Sequence, residues 1–263
     1  MSSAAPADRF DLPSAATRQA TGTLLAGGVL TVPLPWATLA VTGSDAEKFL
    51  QGQVTTDMRE VAGNQSRLGC LLNLKGRVQA SFRAIAVADG YLLLLPADQL
   101  ETTRARLAKY AVFSKVVLTP QARTISGLLG AGAIDALTRA GWDWPAESQQ
   151  VSTRDGALLV RLPGRDRALL ISADADTTAT ATPEALAAWE AGAVRAGEYM
   201  VPAAASEQLQ PQEIDYHTLQ GVSYQKGCYL GQEIVARLYF RGQLKSALTW
   251  LQEAGEIELK PSG

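Results

Sequence analysis

The residues best suited to chemistry lie in one short run, Lys226 to Glu233, which reads Lys-Gly-Cys-Tyr-Leu-Gly-Gln-Glu. A thiol attacks an electrophile or binds a metal as the thiolate, and its pKa falls near a cation or a helix N-terminus. Lys226 stands two positions before Cys228, and Gln232-Glu233 read as the first turn of a helix that continues through Ile234 and Val235. Gly227 and Gly231 allow a tight loop that exposes the sulfur. The same residues also suit a small, inert core cysteine, which many free cysteines are. Local sequence leaves both readings open.

Other constellations are weaker. The chain has two cysteines, Cys70 and Cys228, and one histidine, His217. That inventory does not make a Cys/His zinc site or a four-cysteine iron-sulfur site from one chain, and no metal is expected. A Cys228–His217 nucleophile pair lacks an orienting third group, so His217, beside Asp215 and Tyr216, reads as a surface or capping residue. Gly130 and Gly132 suggest a dinucleotide loop, but the third glycine position is Asp135, whose carboxylate would face a pyrophosphate. Trp142 and Trp144 read as packing residues. With 24 Lys and Arg against 26 Asp and Glu the net charge is -2, which gives no electrostatic footprint for nucleic acid or an anionic membrane. Any role touching RNA is expected to be indirect. The first residues carry Asp8 and Asp11 and no cationic start before an apolar core, unlike a targeting signal. The apolar run Thr23–Ala40 is broken by Pro33 and Pro35, unlike a membrane span. A cytoplasmic protein is expected.

The elements that position the cysteine loop follow from periodicity. A strand is expected over Thr38–Val41. A helix then opens at Ser44 in a capping box with Glu47, buries Phe49 and Leu50, and ends near Gly52. Gln53–Asp57 is a polar turn, either lining a site or an ordinary loop. Arg77–Ala88 alternates as a half-buried strand with Gln79, Ser81 and Arg83 on the polar face. Asp89-Gly90 turns it into Tyr91–Leu95, and a helix over Asp98–Tyr110 places Leu100, Leu107 and Tyr110 on one face. The pattern recurs: Ala157–Leu162 and Arg167–Ser172 pair across Pro163-Gly164, and a helix capped by Thr182 with Pro183 in its first turn closes at Gly197. Asp143–Gln150 reads as a linker. The fold class is α+β, with antiparallel sheets and helices on one face.

The span Ser206–Gly242 closely resembles the YgfZ family of folate-binding proteins, whose signature K-G-C-[FY]-x-G-Q-E precedes a short R-x-x-x-R-G segment, here Arg237 to Gly242. Asp45–Asp57, the Asn73–Arg77 turn and Lys109–Val116 also match, so the resemblance runs from about Trp36 to Trp250. It implies a fold related to the glycine-cleavage T-protein, an aminomethyltransferase, with mixed or antiparallel sheets around a folate channel and a C-terminal β-barrel. The implied organisation is an arm over 1–22, a folate-binding α/β domain begun by 23–120, a second α/β domain over 121–200, the signature segment 201–245 returning to the folate region, and the start of an incomplete barrel over 246–263. Only Ala247–Leu251 and Glu256–Leu259 read as barrel strands, too few to close one.

The implied function is a monomeric tetrahydrofolate-binding accessory protein for iron-sulfur cluster assembly or repair in client enzymes, including those that thiolate tRNA. It would involve no direct nucleic-acid or membrane contact. Cys228 carries the chemistry with Lys226 tuning it, and Gly227 and Gly231 shape the loop. Arg237, Arg241, Lys115, Gln212, Gln232 and Glu233 are the implied folate contacts. Two departures bear on enzyme activity. The T-protein aspartate that meets the reactive folate nitrogen falls at Ala80 or Ser81, and its pterin-reading glutamate falls at Arg195. General acid-base help is commonly worth about 10²- to 10⁴-fold, so its loss speaks against the alternative, folate-dependent one-carbon (aminomethyl) transfer. A folate-storage module is the third reading.

Overall fold

The structure, a computed structural model, describes residues 27–164, 166–176 and 180–242. The elements are β1 (Leu30–Pro33), β2 (Trp36–Thr42), α1 (Ala46–Gln53), β3 (Ser66–Leu72), β4 (Val78–Val87), β5 (Gly90–Pro96), α2 (Leu100–Ala111), β6 (Val117–Gln121), β7 (Ile125–Leu129), α3 (Gly132–Arg139), β8 (Val151–Arg154), β9 (Ala157–Arg161), β10 (Arg167–Ile171), α4 (Pro183–Arg195) and α5 (Gln232–Arg241). The strands form two antiparallel five-stranded sheets, ordered β3-β4-β5-β2-β6 and β1-β7-β10-β9-β8. The class is therefore α+β, as the alternation of hairpins and helices indicates. The expected arm over 1–22 and the expected barrel strands Ala247–Leu251 and Glu256–Leu259 lie outside the described residues. Among those described, no helix is long and apolar enough to cross a membrane.

The first sheet is buried on both faces. Leu39, Val41, Phe82, Leu93 and Leu95 meet Phe49 and Leu50 of α1 and Leu107 of α2. On the opposite face Ala40, Ile85, Leu92 and Leu94 meet Val160, Leu169 and Ile171 of the second sheet and Trp189 of α4. Double burial is why β5 is an unbroken apolar run, Leu92–Leu95, rather than an alternating one. At the β3 end the sheet carries a different cover. Leu68, Cys70, Leu72 and Val78 pack against Val201, Ile214, Tyr216, Tyr229 and Val235, which brings the signature loop onto the sheet.

Several local expectations change. β4 is not half-buried: Ser81 and Arg83 are enclosed, Arg83 being only 2% exposed. Its guanidinium bonds Glu198 at 2.6 Å, and the other Glu198 oxygen accepts from Arg167 of β10 at 2.9 Å. Glu198 thus joins a guanidinium from each sheet, and the Arg167 charge also lies 4.9 Å from the Trp189 ring. The capping box at Ser44 does not form. Asp45 caps α1 without a side-chain cap bond, because its carboxylate accepts from the Lys115 amide at 2.8 Å. The β4–β5 turn is Ala88-Asp89, and Gly90 opens β5, where a Cβ would strike the Val41 carbonyl oxygen. Tyr110 is 47% exposed and not on the core face of α2. Asp143–Gln150 is not loose: the Gln149 carbonyl accepts from the Ser66 amide at 2.8 Å, and Trp144 packs on the cluster around Leu137. The second hairpin and α4 follow the sequence reading, with Thr182 Oγ1 accepting from Ala185 N at 3.3 Å.

Replacing Glu198 with Ala leaves two guanidiniums buried without their counter-charge. Loss of one partner from a buried ion pair costs about 3–5 kcal/mol. The Glu198→Ala chain should show that drop in urea unfolding, and an unchanged midpoint would remove the trio from the account of how the sheets are joined.

Candidate functional site

The signature loop sits on the polar turn after α1 and on the β3–β4 turn. Thr55 Oγ1 donates to the Gly221 carbonyl at 2.6 Å and accepts from the Cys70 amide at 2.9 Å. The Ser223 amide donates to the Thr55 carbonyl at 2.9 Å, and the Leu230 amide to the Gly52 carbonyl at 3.3 Å. Gln53–Asp57 is therefore the seat of the loop. Gly231 precedes α5 in the left-handed region at φ 80, and a Cβ there would lie 2.7 Å from the Asn73 carbonyl oxygen. Glycine is required at that point both by φ and by the close approach. Gly227 differs from expectation: its φ is not left-handed, and a Cβ there would meet nothing within 4 Å.

Lys226 turns inward. It is 5% exposed, and its Nζ donates to the carbonyl oxygens of Val54 at 2.8 Å and Thr56 at 2.6 Å, with the Tyr229 ring centre 5.0 Å away. Burial pulls its pKa down to about 7, the Asp57 charge opposes that fall, and Arg59 adds to it. Asp57 is committed to Arg59, which it meets at 2.9 and 2.5 Å, and to Gln51 at 3.0 Å. The hydrogen bond from Arg59 is the main reason its carboxyl is held well below the usual carboxylate range. The ammonium expected to tune the thiol is thus hydrogen-bonded to the backbone beneath the loop.

Cys228 itself is exposed, whereas Cys70 is buried, and burial pushes the Cys70 thiol far up. Both are free. Cys228 opens onto a cleft of about 420 Å³ lined by Glu47, Lys48, Gln51 and Gly52 of α1, with Arg59 and Gly227. Among the described residues no cluster of His, Cys, Asp and Glu is built to hold a metal ion. His217 pairs with Asp215 at 3.5 Å on the surface. The arrangement leaves Cys228 as an exposed thiol at the cleft, with His217 paired to Asp215.

The implied folate contacts divide. Arg237 and Arg241, one turn apart on α5, line a second cleft of about 280 Å³ with Gln210, Ile234, Leu238 and Gly242. Two guanidiniums beside an apolar wall suit the carboxylates and arene of a folate tail. Gln212 lies against α5, its Nε2 donating to the Val235 carbonyl at 2.8 Å, while its buried Oε1 has no hydrogen-bond partner. That oxygen is an acceptor suited to a ligand N–H. Gln232 and Glu233 form the first turn of α5 and line neither cleft. Lys115 is held at α1 by Asp45 and also lines neither. Ala80 and Ser81 are fully buried, with Ser81 Oγ accepting from the Val201 amide at 2.7 Å. Arg195 ends α4 at the surface. Sequence reasoning missed Asp57 and Glu198. The polar string Gln53–Asp57 signalled the first; nothing in the local pattern marks the second.

No protein-family model matches the chain. It is 36% identical over 244 residues to the tRNA-modifying protein YgfZ of Escherichia coli O157:H7, spanning 86% of this chain and 74% of that protein. The Escherichia fergusonii protein of the same name is 35% identical over 243 residues with the same coverage. Among solved structures, glycine cleavage system aminomethyltransferase T from Bartonella henselae matches with a TM-score of 0.68, over 84% of this chain and 66% of that one, at 17% identity. That likeness is one of fold.

The inward lysine has a pH signature. Between about pH 7 and the ordinary lysine value of 10.5, the unfolded chain keeps a proton that folded Lys226 has released. Stability should therefore rise with pH across that window, by at most about 1.4 kcal/mol per pH unit. Urea midpoints at pH 7 and pH 9 should separate in the wild type and converge in Lys226→Met; an equal rise in both assigns the effect to another group.

Proposed function

Since the chain belongs to the family of the tRNA-modifying protein YgfZ, we propose that it is a tetrahydrofolate-binding accessory protein for assembly or repair of iron-sulfur clusters in client enzymes. Its support of tRNA modification is indirect, through those clients, and it works in the cytoplasm as a monomer. The observation that carries the reading is the exposed Cys228 thiol on the rim of a cleft of about 420 Å³, on a loop fastened from below by Lys226. A fixed, single thiol is suited to meeting a cluster or a cluster-bearing cysteine on another protein, because a bond to one soft ligand leaves the client's own ligands in place. Lys226 acts through position: it holds the loop so that Cys228 stays at the surface.

Tetrahydrofolate, when bound, supplies a reduced pterin and a carboxylate tail. Arg237 and Arg241 would take the tail, and Leu238 and Ile234 would shield its arene. Aminomethyl transfer is the rival reading, favoured by the fold likeness alone. It is opposed by Ala80 and Ser81: neither carries a carboxylate, and both are sealed from solvent.

In cells lacking the protein, the Cys228→Ala chain should leave client iron-sulfur enzyme activity at the level of the empty vector. Its tetrahydrofolate affinity, followed by tryptophan quenching, should stay within about twofold of wild type, since Cys228 is not in the arginine cleft. Full rescue by Cys228→Ala would contradict the thiol's role. The Arg237→Ala, Arg241→Ala double variant should weaken tetrahydrofolate binding by about tenfold or more, as loss of charged hydrogen bonds does; unchanged quenching would move the folate elsewhere.

A further inference from the structure

The end of α2 and the turn that follows it carry apolar side chains that are exposed among the described residues. Phe113 is 99% exposed, Val112 72%, and Tyr110 47%, and Val117 at the start of β6 is 60% exposed. Exposed apolar groups that sit together mark interaction sites more often than isolated ones do. The turn is not loose. The Ser114 amide donates to the Ala111 carbonyl at 2.9 Å and the Val116 amide to the Ser114 carbonyl at 2.9 Å. Lys115 is fixed on both sides by Asp45, whose carboxylate takes its amide proton and whose amide donates to its carbonyl at 3.4 Å. Gly43 must be glycine there, because a Cβ would strike the Lys115 carbonyl oxygen. The backbone that carries the ring is thus pre-ordered, which leaves less ordering to lose on binding.

The tip's own segment carries charge of one sign. From Thr102 to Gln121 the chain has no Asp or Glu, while Lys109 and Lys115 flank the exposed ring. The tip is also joined to the thiol. Asp45, which fastens it, caps the N-terminus of α1, and Glu47, Lys48, Gln51 and Gly52 along α1 line the Cys228 cleft. An eight-residue helix is about 12 Å long, so one globular partner spans both ends.

We propose that the Tyr110–Lys115 tip is the docking element for the client protein, inserting Phe113 into an apolar pocket rimmed by carboxylates that meet Lys109 and Lys115. This inference rests on the reading of Cys228 given above, since it places the client's cluster over the cleft along α1. A protein partner is favoured over a lipid surface by the thiol cleft along the same helix.

The test uses the full chain in cells lacking the protein, with Phe113→Asp, Lys115→Glu and Cys228→Ala compared side by side. Phe113→Asp should lower restored iron-sulfur enzyme activity at least tenfold and Lys115→Glu severalfold. The alkylation rate of Cys228 and tetrahydrofolate quenching should stay within twofold of wild type. If Phe113→Asp lowers the melting temperature, Phe113→Ser at the same position decides the matter. Wild-type rescue by the Phe113 variants overturns the docking tip whatever Cys228→Ala does. Full rescue by Cys228→Ala with failure of Phe113→Asp removes the thiol reading and leaves the tip standing. Two further results overturn the tip: a wild-type dimer that Phe113→Asp converts to monomer, which makes it a self-association surface, and Phe113-dependent sedimentation with phosphatidylserine vesicles, which makes it a membrane contact.

Discussion

The position of the thiol depends on one ammonium and two backbone carbonyls. Lys226 Nζ donates to Val54 and Thr56 from inside the protein, and the loop that ends at Gly231 is drawn down around those bonds. A buried ammonium is costly unless its donors are satisfied. Here two carbonyl oxygens and the face of Tyr229 offset part of that cost, with each hydrogen bond to a charged group worth about 1.5–3 kcal/mol, and the remainder shows as the lowered lysine pKa. Asp57 adds an opposing charge nearby, but its oxygens belong to Arg59 and Gln51. The lysine is therefore attracted by the carboxylate without being paired to it, and the carbonyls fix where it points. Because Lys226 faces in, Cys228 two residues later is free to face out.

The rest of the fold makes that seat available. Val54 forms an isolated bridge to Leu71 of β3, so the carbonyls that receive Lys226 are themselves anchored to the sheet. Thr55 and Thr56 are buried, and their hydroxyls bond backbone carbonyls at Gly221 and Leu68 rather than water. The first sheet stays rigid because both its faces are covered, by α1 and α2 on one side and by the second sheet and the C-terminal segment on the other. The fold separates three tasks. The interior fixes the loop, α5 presents Arg237 and Arg241 to one cleft, and α1 forms the wall of the other.

Much of the fold was legible in the sequence, because hairpins and helix caps are local. Pro163-Gly164, Thr182-Pro183 and the apolar run of β5 each specify their element from neighbouring residues. What was not legible depends on contacts distant in sequence. Arg83 looks like a solvent-facing residue of an alternating strand until Glu198, more than a hundred positions later, supplies its counter-charge. Ser44 and Glu47 look like a capping box until Lys115 claims Asp45. At the site, the signature identified the loop and the exposed cysteine. It could not tell which way Lys226 points, since proximity in sequence suggests a partner for Cys228 and only the fold reveals the carbonyls of Val54 and Thr56. Gly231 and Gly227 look equivalent as letters; only the first meets a backbone that excludes a Cβ.

The most direct measurement of the central claim is amide hydrogen exchange on wild type and Lys226→Met. If the lysine fastens the loop, protection is lost at Ser223 and Leu230, whose amides bond Thr55 and Gly52, while the amides of β4 and β5 exchange as before. Unchanged protection of Ser223 and Leu230 in Lys226→Met would contradict the account, because the loop would then be held in place without the ammonium.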